Sequence, residues 1–312
     1  MVTAETLRGV HVALATPWRD GQLDEPGLDS LVERVLAGGV TGVCPLGSTG
    51  EGTRLSAANR LAVLEAVRAR VPATTPVIPA PSVLNLTDTA AEIEAMAARG
   101  ADAVLVTSPS YYPASDTEVR NAYETLAETA PVPIVLYNMP GMTKVVIPSE
   151  VVGALAQHPR IVGIKDSSRD FEYFRAVRYA AREARDFAQL TGSDTLLVES
   201  LRIGGAGTIA ASANLVPELS TELFAAASRG DWTAAEAVQQ RLFDVVVACR
   251  AAGQAGWKAA LELAGTCSGA PVPPGGRPAE ADIRHLRQRL AQLGVLDGSE
   301  HPAGEAAAAA AR

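Results

Sequence analysis

Ile134-Val-Leu-Tyr137, Ile161-Val-Gly-Ile-Lys165 and Phe187-Ala-Gln-Leu-Thr191 are short apolar runs separated by two helix-like stretches, Pro148–Gln157 and Asp170–Ala184. Runs this short that do not alternate polar with apolar residues read as strands buried on both faces. Helical crossovers between them make such strands parallel. The unit repeats outward in both directions. Upstream stand Val10–Ala15, Gly42–Pro45, Val77–Ala80 and Ala103–Thr107, and downstream Gly207–Ala210, giving eight candidate strands. Helical spacing fills the gaps at Ser56–Val71, where Leu61, Leu64 and Val67 share a face, and at Leu86–Ala98 and Asp116–Thr129. Eight such units predict an α/β fold, a closed parallel (β/α)8 TIM barrel. A doubly wound open sheet is the rival, but its glycine-rich dinucleotide turn belongs after the first strand, where Thr16-Pro17-Trp18 stands instead.

Beyond the eighth strand the pattern becomes all-helical, with candidates at Pro217–Ser228, Trp232–Arg250, Trp257–Ala264 and Ala279–Leu293 and a turn-rich Pro271–Gly276 linker. The expected organisation is one catalytic domain over residues 1–296, with the barrel over 1–225 and a C-terminal helical extension over 226–296. Residues 297–312, with six consecutive alanines at Ala306–Ala311, are expected to be a disordered tail.

Composition narrows the function. A net charge of −8, from 27 basic and 35 acidic residues, lacks the basic footprint of a nucleic-acid binder. No apolar stretch approaches the roughly 20 residues of a membrane span. The start, Met1–Gly9, lacks the basic flank and apolar centre of a secretory signal, so a cytoplasmic protein is expected. Cys44, Cys249 and Cys267 are too far apart for a disulfide framework or a zinc ribbon. The four histidines show no metal-ligand spacing, so no metal is expected.

In a parallel barrel the loops after the strands' C-terminal ends build the site. Those loops carry Gly47-Ser-Thr-Gly-Glu51, Ser108-Pro-Ser-Tyr-Tyr-Pro113, Tyr137-Asn-Met-Pro140, Lys165-Asp-Ser-Ser168 and Thr191-Gly-Ser-Asp194. Only three of the 27 basic residues are lysines, Lys144, Lys165 and Lys258. A chain that otherwise uses arginine places Lys165 at the end of an apolar strand. A lysine there can lose its proton and attack a carbonyl, which a guanidinium cannot; an ordinary lysine snorkelling at a strand end is the competing explanation. The Gly47–Glu51 turn offers backbone N–H groups and two hydroxyls to a small anion. A phosphate loop is its alternative, though the lysine of that motif is missing. Tyr137 is either a proton shuttle or a core tyrosine with a hydrogen-bonded tip. Tyr111 and Tyr112 suit an interface patch.

Together, Gly47-Ser-Thr-Gly-Glu51, Tyr137-Asn-Met-Pro140 and Gly163-Ile-Lys165-Asp-Ser, in this order on successive strands, resemble the dihydrodipicolinate synthase and N-acetylneuraminate lyase family of pyruvate-dependent aldolases, over residues 8–296. The resemblance implies a barrel with a C-terminal helical extension, assembled as a homotetramer or dimer of dimers. It also implies a lysine Schiff base with pyruvate or another 2-oxo acid, and no metal or organic cofactor. Carried over by position, Lys165 corresponds to the Schiff-base lysine, Tyr137 to the general acid/base and Ser48 to the relay hydroxyl. Thr49 corresponds to the residue binding the pyruvyl carboxylate, Tyr111 to the tyrosine inserted by a neighbouring subunit, and Ile209 to the residue whose backbone carbonyl faces pyruvate.

The substrate end departs from both well-known branches. Met142 stands where the synthases carry an arginine for the carboxylate of aspartate semialdehyde, which predicts a preference for neutral hydroxyaldehydes. Ser48-Thr49 and Pro109–Ser115 look more like the sialic-acid lyases. Yet Thr195, after Asp194, replaces a sugar-binding glutamate of those lyases, and Ser167 replaces their threonine after the lysine. The expected function is a Schiff-base lyase that reversibly cleaves a 4-hydroxy-2-oxo acid, such as a 2-oxo-3-deoxy sugar acid, to pyruvate and an aldehyde. Ser167, Asp194 and Met142 are the candidate substrate contacts beside Thr49 and Ile209. The alternatives are 4-hydroxy-tetrahydrodipicolinate synthase, N-acetylneuraminate lyase and a catalytically silent ligand-binding barrel.

Overall fold

The computed structural model describes residues 2–83 and 85–296, so the expected tail lies outside the described residues. The chain opens with a turn whose Leu7 is fully buried, then β1 (Gly9–Ala13). A hairpin of β2 (Trp18–Arg19) and β3 (Gln22–Leu23) follows, turning through Asp20 and Gly21, both at positive φ. Next come α1 (Glu25–Ala37), β4 (Gly42–Cys44), α2 (Ala57–Arg70) and α3 (Leu86–Ala97). The alternation continues through β5 (Val104–Thr107), α4 (Asp116–Thr129), β6 (Ile134–Asn138), the short α5 (Pro140–Thr143) and α6 (Ser149–Leu155). It ends with β7 (Ile161–Asp166), α7 (Phe171–Ala180), β8 (Ala188–Thr191), α8 (Leu197–Arg202), β9 (Gly207–Ala210) and α9 (Pro217–Ser228).

Seven of these strands form one parallel sheet in the order β4-β1-β9-β8-β7-β6-β5. The expected third strand, Val77–Ala80, is not a regular strand, although it occupies the gap between β4 and β5. Its backbone closes the circle. Ile78 N–H donates to Val43 (2.9 Å) and Ala80 N–H to Pro45 (3.1 Å), while Val77 and Pro79 carbonyls accept from Asp102 and Leu105 (both 2.9 Å). Pro76, Pro79 and Pro81 each lack the N–H of a full ladder, so the segment is hydrogen-bonded in its place without ladder regularity. The fold is the expected TIM barrel. The hairpin and α1 are additions that the apolar pattern did not yield. The hairpin strands are only two residues long, and the Asp20-Gly21 pair is the one local signal for it.

Period-two alternation divides each strand between two cores. Residues pointing inward fill the barrel, including Ala13, Ile78, Leu105, Val135, Leu190 and Ile209, and Leu7 packs among them from below. Residues pointing outward, such as Val12, Val43, Val106 and Ile164, pack beneath the helices. Helix ends are set by side-chain caps: Ser56 accepts from Asn59 N–H, Asn85 from Asp88 N–H, and Ser115 with Glu118 forms a reciprocal capping box.

The helical extension consists of α10 (Trp232–Ala251), α11 (Gly256–Leu263) and α12 (Glu280–Gln292). It is tied to the barrel's C-terminal loops by buried polar bonds. Gln239 accepts from Val198 N–H (3.1 Å) and donates to the Asp194 carbonyl (2.9 Å). Glu51 accepts from Val272 N–H (3.0 Å), and Asp24 from Ser268 N–H (3.2 Å). These bonds swing residues from the extension over the barrel mouth.

Closure at the irregular third strand has a polar support. Arg60 donates to both oxygens of Glu92 (2.5 and 2.9 Å) and to the Leu55 carbonyl (2.7 Å), while Glu92 accepts from Ser82 N–H (3.0 Å). Both side chains lie largely out of solvent. Removing one member of such a pair leaves a desolvated charge, costing about 3–5 kcal/mol. Glu92→Ala is therefore expected to lower the urea unfolding midpoint markedly. Glu65→Ala, which breaks the exposed pair with Arg99, should cost no more than about 1 kcal/mol. Equal effects of the two would contradict this account.

Candidate active site

Strand register builds the site. Tyr137 on β6 pairs with Lys165 on β7, and Lys165 with Leu190 on β8, so their side chains share the inner face. The next pair, Asn138 and Asp166, points outward. There Asn138 Nδ2 donates to Asp166 Oδ1 (2.8 Å), Ser168 adds its N–H (3.0 Å) and its hydroxyl (2.9 Å), and Asn138 Oδ1 takes Ile147 N–H (3.1 Å). Burial pushes the Asp166 carboxyl up, and these donors oppose the shift. The outward pair locks the two strand ends that hold the inward pair.

Lys165 is only 5% exposed, and its Nζ lies 4.3 Å from the centroid of the Tyr137 ring. No carboxylate among the described residues lies within salt-bridge distance of it. The other two lysines are engaged. Lys258, also buried, sits 2.7 Å from Glu51 Oε1 and donates to the Ala270 carbonyl (2.7 Å). Burial lowers its pKa, and the Glu51 pair works against that. Lys144 is exposed and donates to its neighbour's carbonyl at Gly141 (2.9 Å).

The Tyr137 hydroxyl lies 3.3 Å from Ser48 Oγ, which follows β4. Burial would raise this phenol. The Lys165 charge and hydrogen bonding with Ser48, Ser167 and Lys165 outweigh it, so the phenol titrates below its ordinary value. A proton leaves such a hydroxyl more readily than a free tyrosine's.

These groups open into a cavity of about 680 Å³ lined also by Thr49, Met142, Ser167, Asp194 and Ile209. Thus Ser48, Thr49, Tyr137, Met142, Lys165, Ser167, Asp194 and Ile209 meet at one place, as the sequence leads one to expect. Asp194 is buried with its Oδ1 taking the Ser212 hydroxyl (2.5 Å). Burial raises its pKa, against that bond and the Arg250 charge. The β8–β9 ladder stops at Thr191 and Thr208, leaving Ile209 one residue past its end. Met142, 53% exposed, sits on α5 at the rim. Tyr111 is not brought into this cavity. It is 87% exposed at φ 81°, its ring edge-on to Tyr112.

Several lining residues escape sequence reasoning: Arg54, Arg169, Arg250, Lys258 and Arg277. The last three reach the barrel mouth from the extension, which no strand-end pattern marks. Among the described residues no group of three or more His, Cys, Asp or Glu could hold a metal ion. No helix there is long and apolar enough to cross a membrane.

A family model described as the dihydrodipicolinate synthetase family matches residues 6–293. The chain is 36% identical over 285 residues to the 4-hydroxy-tetrahydrodipicolinate synthase of Phenylobacterium zucineum, covering 88% of this chain and 95% of that protein. It is 35% identical to the Methanopyrus kandleri protein of the same name, covering 93% and 97%. Among solved structures it is similar to YagE, a prophage protein of the dihydrodipicolinic acid synthase family from E. coli K12 in complex with pyruvate. The TM-score is 0.89 at 29% identity, covering 93% of this chain and 99% of that one. A monomeric dihydrodipicolinate synthase variant superposes with a TM-score of 0.90 at 27% identity, covering 94% and 99%.

Gly192 gives the site a sharp test. A Cβ there would lie 1.9 Å from Ser167 Oγ and 2.8 Å from Lys165 Cε, so a methyl group must displace the Ser167 hydroxyl and push the lysine stem aside. Displacements of about 1 Å can cost around a hundredfold in rate. Gly192→Ala should slow imine formation with pyruvate by about that factor, measured by borohydride trapping, with an unchanged circular dichroism spectrum. Trapping at the parent rate would show that Lys165 is not confined as described.

Proposed function

The chain belongs to the dihydrodipicolinate synthetase family and is a pyruvate-dependent class I lyase, and from its site we propose that Lys165 forms the Schiff base with a 4-hydroxy-2-oxo acid. The observation carrying this assignment is the isolation of Lys165. It is the one buried lysine with no carboxylate partner among the described residues, and it stands against the Tyr137 ring with Ser48 behind.

In the proposed reaction the unprotonated Lys165 amine adds to the C2 carbonyl and water leaves, giving an imine that becomes an electron sink once protonated. Tyr137, its proton relayed through Ser48, takes the proton of the C4 hydroxyl. The C3–C4 bond breaks, its electron pair passes into the enamine, and the aldehyde departs. Protonation of the enamine at C3 and hydrolysis of the imine, which returns the water, release pyruvate. The Gly47–Glu51 turn, through Thr49 and its neighbouring N–H groups, holds the pyruvyl carboxylate, and the Ile209 carbonyl faces pyruvate. Lys165 serves as the reactive group with no metal or organic cofactor in the scheme. Ser167 and Asp194 border the substrate chain.

A second reading, condensation of pyruvate with aspartate semialdehyde, draws on the names of the relatives at 35–36% identity. At position 142 a thioether offers a substrate carboxylate no charged partner, so this reading needs its cation from elsewhere in the cavity.

Reduction with borohydride in the presence of pyruvate should add a pyruvyl-derived mass to the peptide containing Lys165. Labelling of Lys144 or Lys258 alone would overturn the assignment.

We also take the working form to be a homotetramer in the cytoplasm. The exposed Tyr111, held at positive φ away from its own cavity, is poised to enter a neighbouring subunit's site. Mixing Tyr111→Phe with Lys165→Ala subunits should then restore part of the activity that each variant lacks. Mixed oligomers that stay inactive would sink the shared site.

A further inference from the structure

The cavity's charge is at odds with that of the chain. A protein of net charge −8 lines this one space with six cations, Arg54, Lys165, Arg169, Arg250, Lys258 and Arg277, against two carboxylates, Glu51 and Asp194. Three of the cations are paired with carboxylates. Glu51 pairs with Arg54 and Lys258 (2.5 and 2.7 Å), and Arg277 donates to both oxygens of Glu262 (2.6 and 3.0 Å). Lys165 is given to the imine, and Arg169 and Arg250 remain. Neither forms a salt bridge or a side-chain hydrogen bond among the described residues, and Asp194, whose charge acts on Arg250, has its Oδ1 occupied by Ser212.

The two guanidiniums also feel one another. Burial lowers the Arg250 pKa, Asp194 raises it, and the charge of Arg169 lowers it further. They approach from separate elements. Arg169 follows β7 four residues after Lys165, at φ 65°, a left-handed conformation that a non-glycine residue adopts only at a cost. Arg250 lies in the last turn of α10, whose Gln239 is fixed to the loop after β8. Two like charges at the wall of one cavity, neither held in a salt bridge among the described residues, define a receptor for an anion. Guanidinium groups suit carboxylate and phosphate through parallel N–H bonds.

Resting on the aldolase assignment of Lys165, we propose that Arg169 and Arg250 bind a second anionic group, a carboxylate or phosphate, at the end of the substrate remote from the imine. The aldehyde released is then itself anionic. The sequence expectation of a neutral partner, drawn from Met142, is reversed: the cation missing at position 142 is supplied from another wall of the cavity. Binding energy at a remote anion is available for holding the reacting carbons in line.

The test needs no turnover. Lys165 is trapped with borohydride over a concentration series of two matched pairs. In the first, 2-oxoadipate is compared with 2-oxohexanoate. In the second, 2-oxo-3-deoxygluconate 6-phosphate is compared with 2-oxo-3-deoxygluconate. The anionic member of at least one pair should reach half-maximal trapping at a concentration about tenfold or more lower. Whichever pair shows the difference identifies carboxylate or phosphate. In the Arg169→Gln/Arg250→Gln variant the ratio should fall toward one, and in Arg169→Lys/Arg250→Lys part of it should survive. The ratio is taken within each variant, so a loss of folded protein cancels. Equal trapping of both members of both pairs, or a preference untouched in the glutamine variant, overturns the anion site alone. Absence of any label on Lys165, with pyruvate as well, overturns the aldolase assignment and this proposal with it.

Discussion

The parallel register of β6 and β7 is the constraint on which the site depends. One pair of residues, Tyr137 and Lys165, faces the barrel interior, and the following pair, Asn138 and Asp166, faces the helices. A slip of one residue would exchange them, placing the ammonium beneath the helices and a carboxylate inside the barrel. The Asn138–Asp166 bond, reinforced by Ser168 and by Ile147 N–H, makes that slip costly, since it would strand several buried polar groups at once. The close approach of lysine to phenol, and the lowered phenol pKa that follows, therefore descend from hydrogen bonds on the opposite face of the same strands.

Much of this was legible in the sequence because strand ends are legible. In a parallel barrel all strands finish at one mouth, so reading off the residues that close each apolar run collects Ser48, Thr49, Tyr137, Lys165, Ser167 and Asp194 without a structure, while Ile209 comes from the family resemblance. What stayed hidden had no such marker. The third strand looks regular as Val77-Ile-Pro-Ala80, yet Pro79 interrupts it, and only long-range partners decide that the segment still closes the barrel. Helix α1 begins with Glu25-Pro-Gly27, capped by Asp24, a start that the spacing of apolar residues does not announce. Arg250 and Lys258 lie in amphipathic helices where each would pass as a surface charge. Their place at the mouth follows from packing set by Gln239 and Glu51.

Glu51 shows how the extension and the catalytic loop are one unit. It closes the Gly47–Glu51 turn at positive φ. Its carboxylate then takes Arg54 and Lys258 and the N–H of Val272. A buried carboxylate with three partners is strongly tied to its position, and the loop carrying Ser48 and Thr49 is tied with it. The same pairing spends the charge of Lys258, the only other buried lysine, leaving Lys165 without a rival for a carbonyl.

Charge placement then separates chemistry from substrate selection. Near the imine the protein supplies small neutral groups: hydroxyls from Ser48 and Ser167, the phenol and the backbone of the glycine-rich turn. Further out it supplies guanidinium groups. A cation crowded against Lys165 would depress the ammonium and also weaken its hold on the Tyr137 phenol, whereas the same cation at the rim can act on the substrate without disturbing either. A barrel can meet both demands because the reactive side chains stand on strand ends deep in the cavity, while loops and appended helices are free to vary around them. The replacement of a cation at Met142 by Arg169 and Arg250 is of that kind. It leaves the lysine–tyrosine register intact and moves the positive wall to elements that can change without altering the sheet.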